Sequence, residues 1–226
     1  MTAIEQRFGD KVLRHELFGD GGDAKPTVIL FPTVMGVSDL ERGFAERLAG
    51  QGYAALVADL YGRRFTPAER SDAFAAMTAL RQDRAVLRDL LLTVLGAVDT
   101  PKVAAIGFCF GGQCALDLAR AGADVAGVAS FHGLFDPPGL PPQPITAKVA
   151  AYHGWDDPMV PPAALVALGE ELTAAGCDWQ IHAYGHVGHG FTNPGADGST
   201  PGVQFDALAS ARSWAACDAF LTELFE

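Results

Sequence analysis

Five residues, Gly107-Phe108-Cys109-Phe110-Gly111, place a nucleophilic side chain in the spacing that would expose it. An apolar run, Val103-Ala-Ala-Ile, leads directly into them, and a stretch rich in Ala and Leu follows, so the cysteine falls at a strand-to-helix turn. Glycines two positions to either side let strand and helix pack closely around a strained central residue. The N–H groups that open the helix point at the sulfur, where they lower a thiol pKa and stabilise a developing oxyanion. The pattern is the G-x-S-x-G nucleophile elbow with sulfur in place of oxygen. A small core hydrophobe beside a Gly-rich turn is the competing reading, and it leaves the joint agreement of strand, glycine spacing and helix unexplained. Cys114, inside the helix, reads as a buried core thiol.

A thiol nucleophile needs a base, and the base needs an orienting acid. Downstream lie Tyr152-His-Gly-Trp-Asp-Asp-Pro and then Tyr184-Gly-His-Val-Gly-His-Gly-Phe-Thr-Asn-Pro, each following a strand candidate. The order nucleophile, acid, histidine is the one that an elbow of this kind requires. Asp156 and Asp157 compete for the acid, with Asp157, directly before Pro158, preferred; an Asp before Pro also serves as a turn cap. His186 and His189 compete for the base, with His189 of the His-Gly-Phe triplet preferred. As metal ligands they lack a third partner in the sequence pattern, so no metal is expected. His132 and His153 end apolar runs and read as satisfied core histidines, whereas His15 and His182 carry no signal.

The elements that must hold these residues alternate along the chain. Apolar runs at Thr27–Pro32, Ala54–Leu60, Lys102–Phe108, Val125–His132, Ala147–His153 and Trp179–Tyr184 have the length and composition of parallel strands covered on both faces. Helical patterns fall at Asp39–Gln51, Pro67–Ala97 (as two helices), Gly111–Ala121, Pro162–Ala175 and Ser210–Phe225. This alternation predicts an α/β fold with a doubly wound, mostly parallel sheet flanked by helices, and no repeat or linker divides residues 1–226 into more than one domain. Chemistry is then expected at the carboxyl ends of the strands.

Composition narrows the class without naming a site. Half of the 226 residues are hydrophobic, which excludes a disordered chain. Sixteen Lys and Arg against 27 Asp and Glu leave a charge of −11, which argues against nucleic-acid and anionic-membrane partners. The N-terminus is mixed and charged, without the apolar core of a secretory signal, and the apolar runs are too short to span a bilayer. Four cysteines without CxxC or metal-ligand spacing read as reduced thiols in a cytoplasmic protein.

With these pieces in place the sequence resembles the dienelactone hydrolase family of the α/β-hydrolase superfamily. The similarity runs from Val28-Ile-Leu-Phe-Pro through Gln51-Gly-Tyr-Ala-Ala-Leu-Val-Ala-Asp-Leu-Tyr-Gly to the last helix. Its most specific pieces are Gly107-Phe-Cys-Phe-Gly-Gly, His153-Gly-Trp-Asp-Asp-Pro-Met-Val-Pro and His189-Gly-Phe-Thr-Asn-Pro. The resemblance implies an α/β-hydrolase fold and a Cys109–His189–Asp157 triad that hydrolyses small esters or lactones without metal or organic cofactor. It also implies an oxyanion hole from the backbone N–H groups of Phe110 and Val34. Substrate-facing positions are implied at Thr33, Arg70, Phe191 and Asn193. Two of these depart from the family pattern: Thr33 stands where dienelactone hydrolases proper carry a glutamate that helps switch on the thiol, and Asn193 where they carry a carboxylate-binding arginine. Alternatives are the same machinery acting on thioesters or activated phosphoesters, and a non-catalytic binding or redox-sensing protein on this scaffold.

Overall fold

Alternation along the central strands decides where the helices go. In the computed structural model, which describes residues 1–19, 25–100 and 102–226, the first parallel strand is β3 (Thr27–Phe31), preceded by the hairpin β1 (Thr2–Phe8) and β2 (Lys11–Phe18). There follow α1 (Asp39–Gly50), β4 (Ala54–Val57), a short 3-10 turn (Pro67–Glu69), α2 (Arg70–Gln82), α3 (Arg84–Leu95) and β5 (Val103–Phe108). The second half comprises α4 (Phe110–Arg120), β6 (Gly127–Phe131), β7 (Lys148–Gly154), α5 (Pro162–Ala174) and β8 (Trp179–Tyr184). A small hairpin, β9 (Asp197–Thr200) with β10 (Val203–Gln204), precedes α6 (Ala207–Phe225).

Val28 and Leu30 of β3, with Ile106 and Phe108 of β5, pack on α1 and α6 through Ala45, Leu48, Trp214 and Phe220. Their neighbours Ile29, Phe31 and Ala105 point the other way, against Met77, Leu91, Phe110 and Leu168 of α2 to α5. Every residue of β3, β4, β5 and β6 is buried, as two-sided coverage requires. Fully burying each large apolar side chain contributes about 1.5–3 kcal/mol, so this double layer dominates the stability of the sheet.

The eight-stranded sheet has the order β1-β2-β4-β3-β5-β6-β7-β8, and from β4 to β8 all neighbours are parallel. This is the doubly wound fold expected from the sequence. The chain runs outward from β3 to β4, then crosses back to place β5 on the other side of β3. The order therefore reverses between β3 and β5, where Phe31 pairs with Gly107. A crevice opens at the carboxyl ends of strands that part in this way.

Three details differ from the sequence reading. The hairpin of β1 and β2 adds two antiparallel strands at one edge. Several predicted strands are shorter; β4 stops at Val57 because the chain then turns, with Tyr61 N–H and Gly62 N–H donating to Asp59 Oδ1 at 3.0 and 2.9 Å. Helix α6 starts three residues earlier than expected because Asp206 caps it, accepting from Ala209 N–H at 2.7 Å. The long pattern from Pro67 does break into two helices, at Asp83, whose side chain caps α3 by accepting from Val86 N–H at 3.0 Å.

Candidate active site

Cys109 sits between β5 and α4 with φ 56° and ψ −116°, a left-handed backbone conformation that costs a non-glycine residue about 1–3 kcal/mol. Neighbouring bonds hold it there: Cys109 N–H donates to Phe131 O at 3.0 Å, and Gly112 N–H donates to Cys109 O at 3.0 Å. The flanking glycines are required by contact. A Cβ on Gly107 would lie 1.9 Å from Gly111 O, and one on Gly111 would lie 2.1 Å from Phe31 O. The elbow is thus pressed between its own helix and the end of β3, and the half-buried sulfur is left at the crevice.

The two acids and two histidines sort themselves by burial. His189 Nδ1–H donates to Asp157 Oδ2 at 2.7 Å, and both residues are buried. Asp157 Oδ1 accepts from Met159 N–H at 2.8 Å, which fixes the carboxylate. Asp156 instead lies 3.6 Å from His186, whose side chain is fully exposed. The loops that carry the buried pair meet backbone to backbone. A Cβ on Gly154 would come within 2.4 Å of the carbonyls of Val187 and Gly188, and one on Gly188 within 2.3 Å of Gly202 O. His189 N–H in turn donates to Gly202 O at 2.7 Å, so the β9–β10 hairpin supports the histidine loop.

Electrostatics couple the sulfur to this pair. Burial pushes the Cys109 thiol up, but the neighbouring His189 charge and the Phe110 N–H outweigh it, and the thiol lies below its ordinary value. Burial pulls His189 down, yet Cys109 and Asp157 together raise it to about 10. Its Nε2 is buried and takes no well-aligned hydrogen bond, a looseness common where substrate completes the geometry. Cys114 is buried and its thiol is pushed well up by burial, as suits a core residue.

A cleft of about 1470 Å³ opens onto Cys109, His189, Thr33 and Val34, with Arg70 and Asn193 also at its walls. Phe74, Met77, Leu134, Phe135, Met159 and Val160 make much of it apolar. Arginines at the far end are neutralised: Arg84 bonds Asp136 at 2.8 Å and also pairs with Asp117, Arg81 bonds Asp136 at 2.9 Å, and Arg120 bonds Glu171 at 2.7 Å. Among the described residues Arg70 has no carboxylate partner, and its guanidinium lies 5.4 Å from the Phe74 ring. Asn193 Oδ1 is engaged by Gly195 N–H at 2.9 Å. Among the described residues nothing accepts the Val34 N–H, and no group of three or more His, Cys, Asp or Glu side chains converges as a metal ion would need.

One expected substrate contact is corrected. Phe191 does not face the cleft; it is fully buried against His132 and Tyr184, because the turn at His189-Gly190 sends it into the layer beneath α6. His153 is a core histidine, as expected, with Nε2 bonded to Val160 O at 3.0 Å, but its buried Nδ1 has no partner among the described residues. His132 is buried too, but it also lines the cleft, with φ 38° and its ring 5.1 Å from that of His189. Its Nε2 bonds Thr192 Oγ1 at 2.8 Å, and burial followed by the charge of His189 holds it well below the usual histidine value, hence neutral. Glu41 and Tyr61, whose side chains reach the Thr33 and Val34 peptides, were not singled out from the sequence, because those contacts form only in the fold.

The pattern of the dienelactone hydrolase family matches residues 17–225, nearly the whole chain. The chain belongs to the dienelactone hydrolase family. It is accordingly a hydrolase of esters or lactones acting on a small-molecule substrate, and the resemblance read from its motifs is borne out. A Yersinia pestis protein with the provisional name carboxymethylenebutenolidase is 30% identical over 186 residues, covering 74% of this chain and 68% of its own. Two solved structures match the full length of this chain and 98% of theirs. One, called m3DLH, is 36% identical with a TM-score of 0.88. The other, a dienelactone hydrolase-like promiscuous phosphotriesterase, P91, from metagenomic libraries, is 34% identical with a TM-score of 0.89. Among the described residues no helix is long and apolar enough to cross a membrane.

Proposed function

We propose that this family member cleaves small, uncharged carboxylic esters or lactones through a Cys109–His189–Asp157 triad and a thioacyl intermediate. The observation that carries the reading is the buried 2.7 Å His189–Asp157 bond in the same cleft as a half-buried elbow cysteine whose thiol is held below its ordinary value. In the resting site His189 is an imidazolium beside a thiolate. The sulfur attacks the acyl carbon, and the carbonyl oxygen takes up negative charge between the N–H groups of Phe110 and Val34. His189 Nε2–H then protonates the departing alkoxide, leaving a thioester on Cys109 and a neutral imidazole. That imidazole removes a proton from water as its oxygen attacks the thioester. Collapse of the second tetrahedral species expels the thiolate and releases the acid, restoring the ion pair. Asp157 keeps the ring in the tautomer and orientation that both proton transfers need.

A second reading keeps the machinery and changes the electrophile to an activated phosphotriester, and the 34% identity with a promiscuous phosphotriesterase favours testing it. Both readings rest on the same sulfur. Cys109→Ala should lower turnover of a chromogenic short-chain ester by about 10³-fold or more, because removing a nucleophile leaves only binding and oxyanion stabilisation. Cys114→Ala is the control and stays active. Activity of Cys109→Ala within about tenfold of the parent would overturn the assignment and leave a binding or redox role for the cysteine. A neutral nitrophenyl phosphotriester run beside the carboxylic ester separates the two electrophiles.

A further inference from the structure

The Val34 loop lies outside any helix or strand, yet an oxyanion donor must be held within roughly 0.5 Å of its working position. Three successive peptide groups around Val34 are each tied down. Thr33 N–H donates to Glu41 Oε1 at 3.0 Å. Thr33 C=O, in the same peptide plane as the Val34 N–H but pointing the opposite way, accepts from Gly36 N–H at 3.0 Å. The Val34 carbonyl accepts from Tyr61 Oη–H at 3.2 Å. Gly36 has φ 72°, and a Cβ there would lie 3.1 Å from the Tyr61 ring, so the glycine lets the tyrosine close on the turn.

Glu41 is the unusual member of this set. It lies in the first turn of α1, is fully buried, and has no Lys or Arg partner among the described residues. Four donors surround it instead. Oε2 accepts from Ser38 N–H at 3.1 Å and from the Ser38 hydroxyl, while Oε1 accepts from Thr33 N–H and from Thr33 Oγ1–H at 2.9 Å. The Ser38 half is a capping box, which a helix start explains. The Thr33 half has no part in capping; it reaches eight residues back to the residue before Val34. Burying a carboxylate without a cation costs several kcal/mol unless its oxygens are fully hydrogen-bonded, and here each oxygen has two donors. A buried acceptor of this kind cannot shift without leaving donors unpaired.

We infer that Glu41 is a positioning residue for the oxyanion hole, acting through Thr33 on the Val34 N–H, with Tyr61 as a second clamp from the other side. The inference rests on the role given to Val34 in the proposed function. Glu41→Gln places an amide NH2 against donors and Tyr61→Phe removes one hydroxyl; each frees the loop without touching the elbow. Both should lower kcat on the chromogenic ester by about 10- to 100-fold, somewhat less than the loss of an oxyanion donor outright, with KM within about threefold. Iodoacetamide alkylation of Cys109 develops no oxyanion and should stay within about twofold of the parent rate. Asp83→Ala, which removes the cap of α3 and makes no contact with Glu41, lowers Tm but should keep kcat within about threefold, which a purely structural role for Glu41 does not predict. If Glu41→Gln fails to fold, Tyr61→Phe alone decides. A parent-like kcat in the folded variants, or alkylation that falls in step with kcat, overturns the inference. An active Cys109→Ala would instead remove the reading beneath it.

Discussion

Gly111→Ala tests whether the elbow is held by contact. The added Cβ would sit 2.1 Å from Phe31 O and 2.5 Å from Phe31 C and Pro32 O. All three are backbone atoms, and Phe31 is locked by its pairing with Gly107, so no rotamer change relieves the clash. Reaching an ordinary contact of 3.4 Å requires a shift of more than an ångström, either of α4 or of the end of β3. Overpacking against side chains costs about 1–3 kcal/mol, and an unyielding backbone puts this case at about 3 kcal/mol or more. For a chain of this size each kcal/mol moves Tm by about 2–4 °C, so Tm should fall by about 6–12 °C. The same shift moves Pro32 and the oxyanion loop away from Cys109, and a displacement of about 1 Å at reacting groups costs about 10² in rate. Gly43→Ala is the opposite case: the residue is exposed within α1 and its Cβ would meet nothing within 4 Å. It should gain about 0.5–1 kcal/mol from reduced backbone entropy and leave turnover alone. Thermal melts followed by circular dichroism, with ester turnover at 25 °C, measure both. Gly111→Ala melting within about 2 °C of the parent would refute the argument that contact, rather than turn preference, selects glycine here.

Other outcomes follow from the buried pair and the cleft. His189→Asn and Asp157→Asn should each cost about 10³–10⁴ in kcat, whereas His186→Asn and Asp156→Asn, which alter an exposed pair, should stay within a few-fold of the parent. Although burial opposes it, the Cys109 thiol lies below its ordinary value because His189, raised to about 10, is cationic beside it through neutral pH. Iodoacetamide alkylation should therefore remain fast well below pH ~8.5 and decline only as pH falls through the depressed thiol value. In His189→Asn burial and the Asp157 charge are opposed only by the Phe110 N–H, and the rise in alkylation should move up in pH; an unchanged profile would show that the histidine does not activate the sulfur. Neutral esters should be hydrolysed at least as well as carboxylated analogues, since Asn193 at the cleft wall carries no charge and Arg81, Arg84 and Arg120 are paired with carboxylates. A strong preference for the carboxylated substrate that vanishes in Arg70→Ala would identify Arg70, at the cleft wall, as an anion clamp.

The central strands were legible because two-sided burial leaves continuous apolar runs, and the elbow because its glycines answer to a steric demand within five residues. The hairpin of β1 and β2 was not. Its buried positions include His15 and Glu16, on opposite faces of β2, and a periodicity search counts both as polar. They are satisfied by distant partners: His15 Nδ1 accepts from Asp59 N–H at 3.0 Å, and Glu16 pairs with Arg42 at 2.7 Å and Arg64 at 3.3 Å. The direction of Phe191 was lost for a related reason, since a turn at Gly190 (φ 70°) sets it rather than the sequence around it. The sequence offered Asp156 and Asp157 as competing acids with Asp157 preferred, and the fold turns Asp157 inward to His189 and Asp156 to solvent beside His186. Glu41 was invisible for a different cause: a Glu three residues after a Ser reads as an ordinary capping box, and its second pair of hydrogen bonds exists only in three dimensions.

The contact of bare backbones at Gly154, Gly188 and Gly202 divides the molecule into parts with unequal freedom to vary. Gly154 faces the carbonyls of Val187 and Gly188, and Gly188 faces that of Gly202, so at these contacts no side chain can absorb a change, while Gly202 itself abuts the Pro158 ring. The cleft facing them is walled by Phe74, Met77, Leu134 and Met159, whose side chains can be exchanged without moving any of those carbonyls. A library that randomises these four positions should therefore diversify substrate choice while the His189–Asp157 distance stays fixed. One that randomises the glycines should return mostly inactive chains. For a laboratory seeking new hydrolytic specificities, the scaffold behaves as a fixed chuck with interchangeable jaws.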